Sequence, residues 1–487
     1  MLINKLNNSS NSVFELHSFI QKNSVEIYDF FIIESYYEVT KYRRNIEDFI
    51  ILKYKVFKML DYKNIKNQSF IICMLNVSER LGLHCPFEQL NALAINKNIT
   101  LTDKLEAASL FLINITDISD YTNRIDGVLK LLSNSYINGE SDLSEVRVTL
   151  LHFYLEVYKN FADHNRNAVE VFSDKIIDKL IVEEYNYLSK LDILNLLQAE
   201  FSNYQTGYDQ IISVLDSYLE ISKVFNKESS YLIESNTKYE KELEKINPTC
   251  LDIHQLAVEN YTSIKNHNIF TSLERGVGIL TNEDQLLAYI FSYGRMHFEK
   301  LDSAFEGLNK YIIKNIEIMD WGCGQGLATI RLLEKIRSES IEVNVSNIYL
   351  IEPSERALKR AALHTTKFRK DIPIITINSD LDSIEENDFV TDRSNLKVHL
   401  FSNILDIDHF SMSDLINRIE SSFSGLNLFI CVSPYISVYK TQRIDDFVEA
   451  FSTLKGFNYI KEITEKSGEW NNKKWSRVIR VFEVYIP

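Results

Sequence analysis

The sequence is poor in residues that interrupt or cross-link a chain. Its 487 residues hold 6 prolines, 14 glycines and 5 cysteines. The cysteines (Cys73, Cys85, Cys250, Cys323 and Cys431) form no C-x-x-C pair. An odd, scattered set argues against a zinc ribbon or a disulfide framework and fits reduced thiols. Long apolar runs are also missing. Stretches such as residues 70–75 fall far short of the roughly 20 residues a membrane span needs, and the first ten residues lack the apolar core of a signal peptide. The expectation is a soluble, cytoplasmic protein with no membrane partner. Positive charge is the last absence. The net charge is −15, with 27 basic against 37 acidic residues up to Phe270 and 26 against 31 beyond it. This balance disfavours broad nucleic-acid binding, while leaving room for one basic groove.

The few breakers are unevenly placed. Up to Phe270 there are only Gly82, Gly127, Gly139 and Gly207, with Pro86 and Pro248; the remainder holds the other ten glycines and four prolines. A chain of this length exceeds one ordinary domain. Its first half has apolar residues at three- and four-residue spacing, as in 13–20, 105–113, 121–132, 143–161 and 211–224, which predicts helices. Thr102 and Ser141 are the expected N-caps of two of them. The expected organisation is an all-α domain over 1–265, either a bundle or an irregular solenoid, followed by an α/β domain over 266–487.

Residues 316–326 read IEIMDWGCGQG. An apolar strand ends in Asp320, glycines follow at 322, 324 and 326, and an amphipathic stretch, 327–336, begins at once. A strand running through a glycine turn into a helix opens a nucleoside site at the carboxyl edge of an open α/β sheet. A tight turn needs backbone angles that side chains resist, and a ligand must approach the main chain closely. Asp320 argues against a pyrophosphate here, because it would repel one, and favours a cation or ammonium. Glycine recurs at every second residue, unlike the dinucleotide fingerprint, which makes a nicotinamide-dependent oxidoreductase a poor fit.

The pattern D-x-G-x-G-x-G resembles motif I of class I S-adenosylmethionine-dependent methyltransferases, whose cofactor carries a sulfonium, an ammonium and a carboxylate but no phosphate. The downstream sequence extends the resemblance. A second apolar strand, 347–351, is followed directly by Glu352, which the resemblance assigns to the ribose hydroxyls. A helix over 354–366 and a third strand over 372–377 lead to Asp380, placed by the resemblance against the adenine amino group. A fourth strand, 397–401, precedes Asn403 and Asp406; a fifth, 426–432, precedes Ser433, Pro434 and Tyr435. Two closing strands, near 457–464 and 475–485, form an antiparallel edge. The resemblance therefore implies a seven-stranded Rossmann-like domain that binds S-adenosyl-L-methionine through Asp320, Gly322, Gly324, Gly326, Glu352, Asp380 and Asn403. Before it, 285–301 reads as a helix, which the resemblance places across the cofactor mouth, where Arg295 or His297 meets cofactor or acceptor, or simply docks the helix.

The chemistry implied is methyl transfer to an acceptor that the sequence does not name: protein, RNA or small molecule. The fourth strand lacks the Asn/Asp-Pro-Pro-aromatic motif of amino-directed nucleic-acid methyltransferases, and no cysteine pair suits attack on a pyrimidine carbon. Asp406, His409 and Tyr435 are candidate catalytic residues near the acceptor mouth. A non-catalytic binding or regulatory protein on the same fold is the alternative. No metal site is expected.

Overall fold

The computed structural model describes residues 2–182, 185–201, 203–219, 231–264, 266–312, 314–470 and 473–487. The chain divides into two compact units, Met1–Ile221 and Ser222–Pro487.

The first unit is helical, as its periodicity predicts. Its long helices include Ile65–Leu81, Ile118–Ile137 and Leu143–Phe161. Thr102 caps Asp103–Leu112 as expected. The cap of Leu143–Phe161 is Asp142 rather than Ser141, because Asp142 and Glu145 satisfy each other's backbone N–H groups in a capping box. The helix expected at 211–224 runs as Tyr204–Leu219, and 220–224 lie outside the described residues. The backbone N–H of Tyr36 donates to Asp216 Oδ1 at 2.7 Å. This contact joins the unit's early and late helices, which a solenoid touching only neighbouring repeats does not do. Its core holds Phe49, Phe57, Phe70, Phe87, Phe111 and Phe153, along with buried charges. His152 Nδ1 lies 2.7 Å from Glu79 Oε1, and buried Glu156 accepts from His84 at 3.0 Å and from Lys159 at 2.6 Å.

The second unit is a three-layer α/β domain. Seven strands, β1 (Lys314–Trp321), β2 (Val343–Ile351), β3 (Ile374–Ile377), β4 (Leu396–Ser402), β5 (Gly425–Ser433), β6 (Asn458–Trp470) and β7 (Lys473–Ile486), form one sheet in the order β3-β2-β1-β4-β5-β7-β6. The first five are parallel, and β7 is antiparallel to both β5 and β6. The central strands are buried on both faces and mostly apolar, as parallel strands between helical layers are, with Glu317, Lys397, His399 and Asn427 buried among the apolar residues. Helices Leu327–Ser338 and Glu355–Phe368 connect β1 to β2 and β2 to β3.

The expected division at 265/266 falls inside this unit. Lys238–Leu243 and Cys250–Thr262 give Tyr239, Leu243, Cys250, Ile253 and Ala257 to the same core as β1 and β2. Ahead of them the extended residues 231–234 are pinned to the sheet layer. Leu232 N–H donates to Thr376 Oγ1 at 2.8 Å, Glu234 N–H to the Lys359 carbonyl at 3.1 Å, and the Glu234 carboxylate pairs with fully buried Arg360.

Candidate functional site

Parallel order brings the carboxyl ends of β3, β2, β1, β4 and β5 to one edge of the sheet. The glycine turn lies at the centre of that edge, and its three glycines have different surroundings. At Gly326 a Cβ would lie 3.2 Å from Ala361 Cα, so this glycine lets the helix after β2 pack against the turn. At Gly322 it would meet Ile404 Cδ1 at 2.6 Å. At Gly324, with φ +51°, it would meet nothing within 4 Å. The left-handed backbone there faces open space, as a loop that receives a ligand against its main chain must. Cys323 between them is buried; burial, with Asp320 and Glu352 nearby, holds its thiol well above the usual range. It packs the turn, and a thiol held protonated there is no nucleophile.

Asp320 is 1% exposed. Its Oδ2 accepts from the Thr329 hydroxyl at 2.7 Å and the Thr329 N–H at 3.2 Å, while its buried Oδ1 has no partner among the described residues. Burial pushes this carboxyl up to about 7 against the pull of Thr329. Glu352, beyond β2, accepts from Gly324 N–H at 2.9 Å through Oε2 and from Ser354 N–H at 2.9 Å through Oε1. Burial raises it too, to about 7, with Asp320 adding to the rise and the two amides opposing it. Asp380 is buried beyond β3, where its carboxylate accepts from Ser383 N–H at 2.8 Å and shapes its own turn. Asn378 ties the ends of β3 and β2 together by donating to the Glu352 and Pro353 carbonyls, each at 2.9 Å.

A second group lies beyond β4. Asn403 is held in the left-handed region, φ 58°, which asparagine tolerates better than most residues. Its Oδ1 accepts from Lys300 Nζ at 2.7 Å, and its amide nitrogen lies 2.9 Å from His297 Nδ1. His297 and Lys300 are both buried, on the inner face of helix Arg295–Phe305. Burial, with Lys300 adding to it, pushes His297 well below its ordinary range, and burial lowers Lys300 to about 8. Asp406 is buried, accepts from Ser433 Oγ at 2.8 Å, and is raised by burial. Tyr289 ends the helix Glu283–Tyr289, just before the π turn Ile290–Gly294. Burial raises its phenol, as do neighbouring Tyr293, Glu352 and Asp406, and its ring lies 5.7 Å from that of His297.

The structure thus brings Asp320, the three glycines, Glu352, Asp380, Asn403 and Asp406 to one sheet edge. It does not bring Arg295 there. That side chain is exposed, two residues from His297 and so on a different face of the helix. His409 is half-buried in the loop after β4. Tyr435, after β5, exchanges backbone hydrogen bonds with the Ser476 hydroxyl, and Lys466 lies over its ring at 5.6 Å. Lys300 and Tyr289 were not singled out by sequence. The available signal was a lysine three residues after His297 on the apolar stripe that continues through Leu301, Ala304 and Phe305.

Strand order and glycine turn define the class I methyltransferase fold. No family model matches the chain. A stretch of 79 residues, 16% of this chain, is 29% identical to the carboxy-S-adenosyl-L-methionine synthase of Vibrio atlanticus (strain LGP32); the match spans 31% of that protein, about a third of its length. Solved structures similar to this chain include a SAM-dependent methyltransferase of Leishmania major (12% identity, TM-score 0.27, 46% of this chain and 90% of that one). Another is an S-adenosylmethionine-dependent methyltransferase from Clostridium acetobutylicum ATCC 824 (12% identity, TM-score 0.25, 39% of this chain and 92% of that one). The assignment of fold rests on the strand order. Among the described residues, no helix is long and apolar enough to cross a membrane, and no cluster of side chains suits a metal ion.

Proposed function

We propose that the sheet unit binds S-adenosyl-L-methionine along its carboxyl edge and transfers the methyl group to an acceptor, with the helical unit serving acceptor or partner recognition in the cytoplasm. One observation carries the reading: a buried carboxylate oxygen, Asp320 Oδ1, has no partner among the described residues and lies at the end of the strand that runs into the open backbone at Gly324. A buried acceptor of this kind is costly unless something donates to it, and an ammonium is the donor that suits a carboxylate. Glu352 keeps a free lone pair on each oxygen after accepting from Gly324 and Ser354, which suits a vicinal diol. Asp380 is one strand further on, for the adenine amino group, and Asn403 lies one strand the other way.

When bound, the cofactor supplies a methyl group on a cationic sulfur, a good leaving group for in-line displacement. The protein's task is alignment and exclusion of water. Gly324 admits the ligand to the main chain; Tyr289 and the helix Arg295–Phe305 flank the mouth. Asp406, raised by burial, is the group best suited to take a proton from an acceptor that has one to lose.

Isothermal titration with S-adenosylhomocysteine tests the reading, with Asp320→Ala and Glu352→Ala as controls. Heat from the wild type that either change removes supports it; no heat from the wild type refutes it. Incubation with tritiated cofactor and fractionated cell extract then separates an enzyme from a non-catalytic binding protein.

A further inference from the structure

The inner face of helix Arg295–Phe305 carries a cation with no ion-pair partner among the described residues. Lys300 is 2% exposed. Its ammonium has three N–H groups and donates one hydrogen bond, to Asn403 Oδ1 at 2.7 Å. Among the described residues no carboxylate lies within ion-pair distance of it. Asp406, the carboxylate whose field it feels, acts from further away and accepts from Ser433. His297 beside it is held neutral and occupies the amide side of Asn403. A buried ammonium with one hydrogen bond and no ion-pair partner among the described residues is unfavourable by itself, and at the sheet edge it marks a place where a ligand can supply the missing charge.

Position along the sheet edge indicates which part of a ligand arrives there. The order β3-β2-β1-β4-β5 lays out Asp380, Glu352, Asp320, then Asn403 with Lys300, then Ser433. Adjacent strands are about 4.8 Å apart. On the cofactor reading above, on which this inference rests, adenine, ribose and the amino-acid end occupy the first three positions in turn. Lys300 belongs to the next one, where the acceptor meets the methyl group. We propose that the acceptor carries an oxyanion, a carboxylate or phenolate, at or beside the atom that takes the methyl group, and that Lys300 is the residue that pairs with it.

The chemistry balances without an added reagent. Where the oxyanion is the nucleophile, an O–CH3 bond forms as the CH3–S bond breaks. The electron pair of the broken bond stays on sulfur, the sulfonium becomes a neutral thioether, and the oxyanion becomes a neutral ester or ether. No proton moves, so along this path neither His297, which faces the Asn403 amide, nor Asp406, which accepts from Ser433, has to act as a base. Opposite charges annihilate along this path, so a pocket poor in water favours it. A cationic amine acceptor would instead be repelled by Lys300.

The test uses the full chain saturated with S-adenosylhomocysteine. Monocarboxylates from formate to benzoate are titrated calorimetrically, each against its neutral amide, on the wild type, Lys300→Met and Lys300→Arg. The expected result is at least one carboxylate bound about tenfold more tightly than its amide. Lys300→Met should erase that preference with cofactor-product affinity unchanged, which also shows that the variant is folded; Lys300→Arg should retain it. No carboxylate preference in the wild type overturns the proposal, as does a preference that survives Lys300→Met. So does a Lys300→Met variant that loses S-adenosylhomocysteine but keeps 5′-methylthioadenosine, because Lys300 would then serve the cofactor's own carboxylate. A wild type that binds no S-adenosylhomocysteine fails at the earlier step and removes the cofactor reading along with this one.

Discussion

Glu352 Oε2 accepts the main-chain N–H of Gly324 at 2.9 Å, so the acid that ends β2 is latched to the glycine turn that ends β1. The contact fixes the turn's open face and the carboxylate in one geometry. Replacing Glu352 therefore affects the turn as well as the diol it is proposed to hold. Glu352→Gln keeps an acceptor for Gly324 and should weaken S-adenosylhomocysteine by about tenfold, whereas Glu352→Ala leaves the amide without its partner and should cost about a hundredfold. Calorimetric titration of both variants, with circular dichroism to confirm folding, checks the difference.

Asp320 gives a trade of stability against binding. The unpartnered oxygen makes its charged form unfavourable in the protein alone. Asp320→Asn should leave thermal stability at pH 8 equal or higher and lower affinity for S-adenosylhomocysteine by about 10- to 100-fold, the range of a hydrogen bond to a charged group. Loss of stability with unchanged affinity would be the opposite pattern and would place Asp320 in the scaffold alone.

The same two acids set a pH dependence. Both have folded pKa values raised to about 7, above the ordinary carboxylate range. Raised acids bind protons more tightly in the folded state, so their contribution to stability is complete below about pH 4 and is lost as pH rises through 7. Ligand affinity runs the other way, because an ammonium prefers the carboxylates ionised. Binding of S-adenosylhomocysteine should tighten by up to about tenfold per unit as pH rises towards 7 and level off above it. Calorimetry at pH 5.5, 6.5 and 7.5 measures the slope.

Two glycine substitutions should part company. Gly326→Ala drives a Cβ to 3.2 Å from Ala361 Cα, backbone of a packed helix, and should destabilise the sheet unit by about 1–3 kcal/mol. Gly324→Ala meets no atom and costs only its left-handed strain, about 1 kcal/mol, yet its methyl group enters the space left for the ligand. Thermal melts should single out Gly326→Ala, and ligand titration should single out Gly324→Ala.

In the helical unit, Glu156 is the group to test. Burial works to raise it, but His84 and Lys159 outweigh burial and hold it at about 2. A depressed acid contributes stability that is present above its unfolded value near 4.5 and is lost as pH falls towards 2. Glu156→Gln breaks a buried pair and should cost about 3 kcal/mol at pH 7, with the penalty shrinking in acid. Denaturant unfolding of variant and wild type at pH 7 and pH 3 reads both effects.

Much of the sheet edge was legible in the sequence. A strand that must bury both faces spells itself as an apolar run, and the turn after it spells itself in glycine, so β1, Asp320 and the turn stood out together. Glu352 and Asn403 come directly after strands, Asp380 comes shortly beyond one, and it was the resemblance that singled them out. The Lys300 pairing was not legible, since it depends on which face of a distant helix meets β4, and on Asn403 taking a left-handed backbone that no residue spacing encodes. Arg295 shows the converse: its segment is helical as the pattern predicts, but its side chain is exposed. The division between units was hidden for a different reason. Residues 238–262 are helical and short of glycine like the helical unit before them, and only tertiary packing reveals that they complete the core around β1 and β2.

That packing bears on how the protein can be dissected. A chain excised at residue 231 keeps Glu234 on Arg360 and the layer made by Tyr239, Leu243, Cys250 and Ile253. One excised at residue 266, where glycine content would suggest the cut, exposes the apolar flank of Leu327–Ser338 and Glu355–Phe368, the two helices that brace the glycine turn. The shorter fragment should aggregate, and a failure of that fragment to bind nucleoside would say nothing about the intact site.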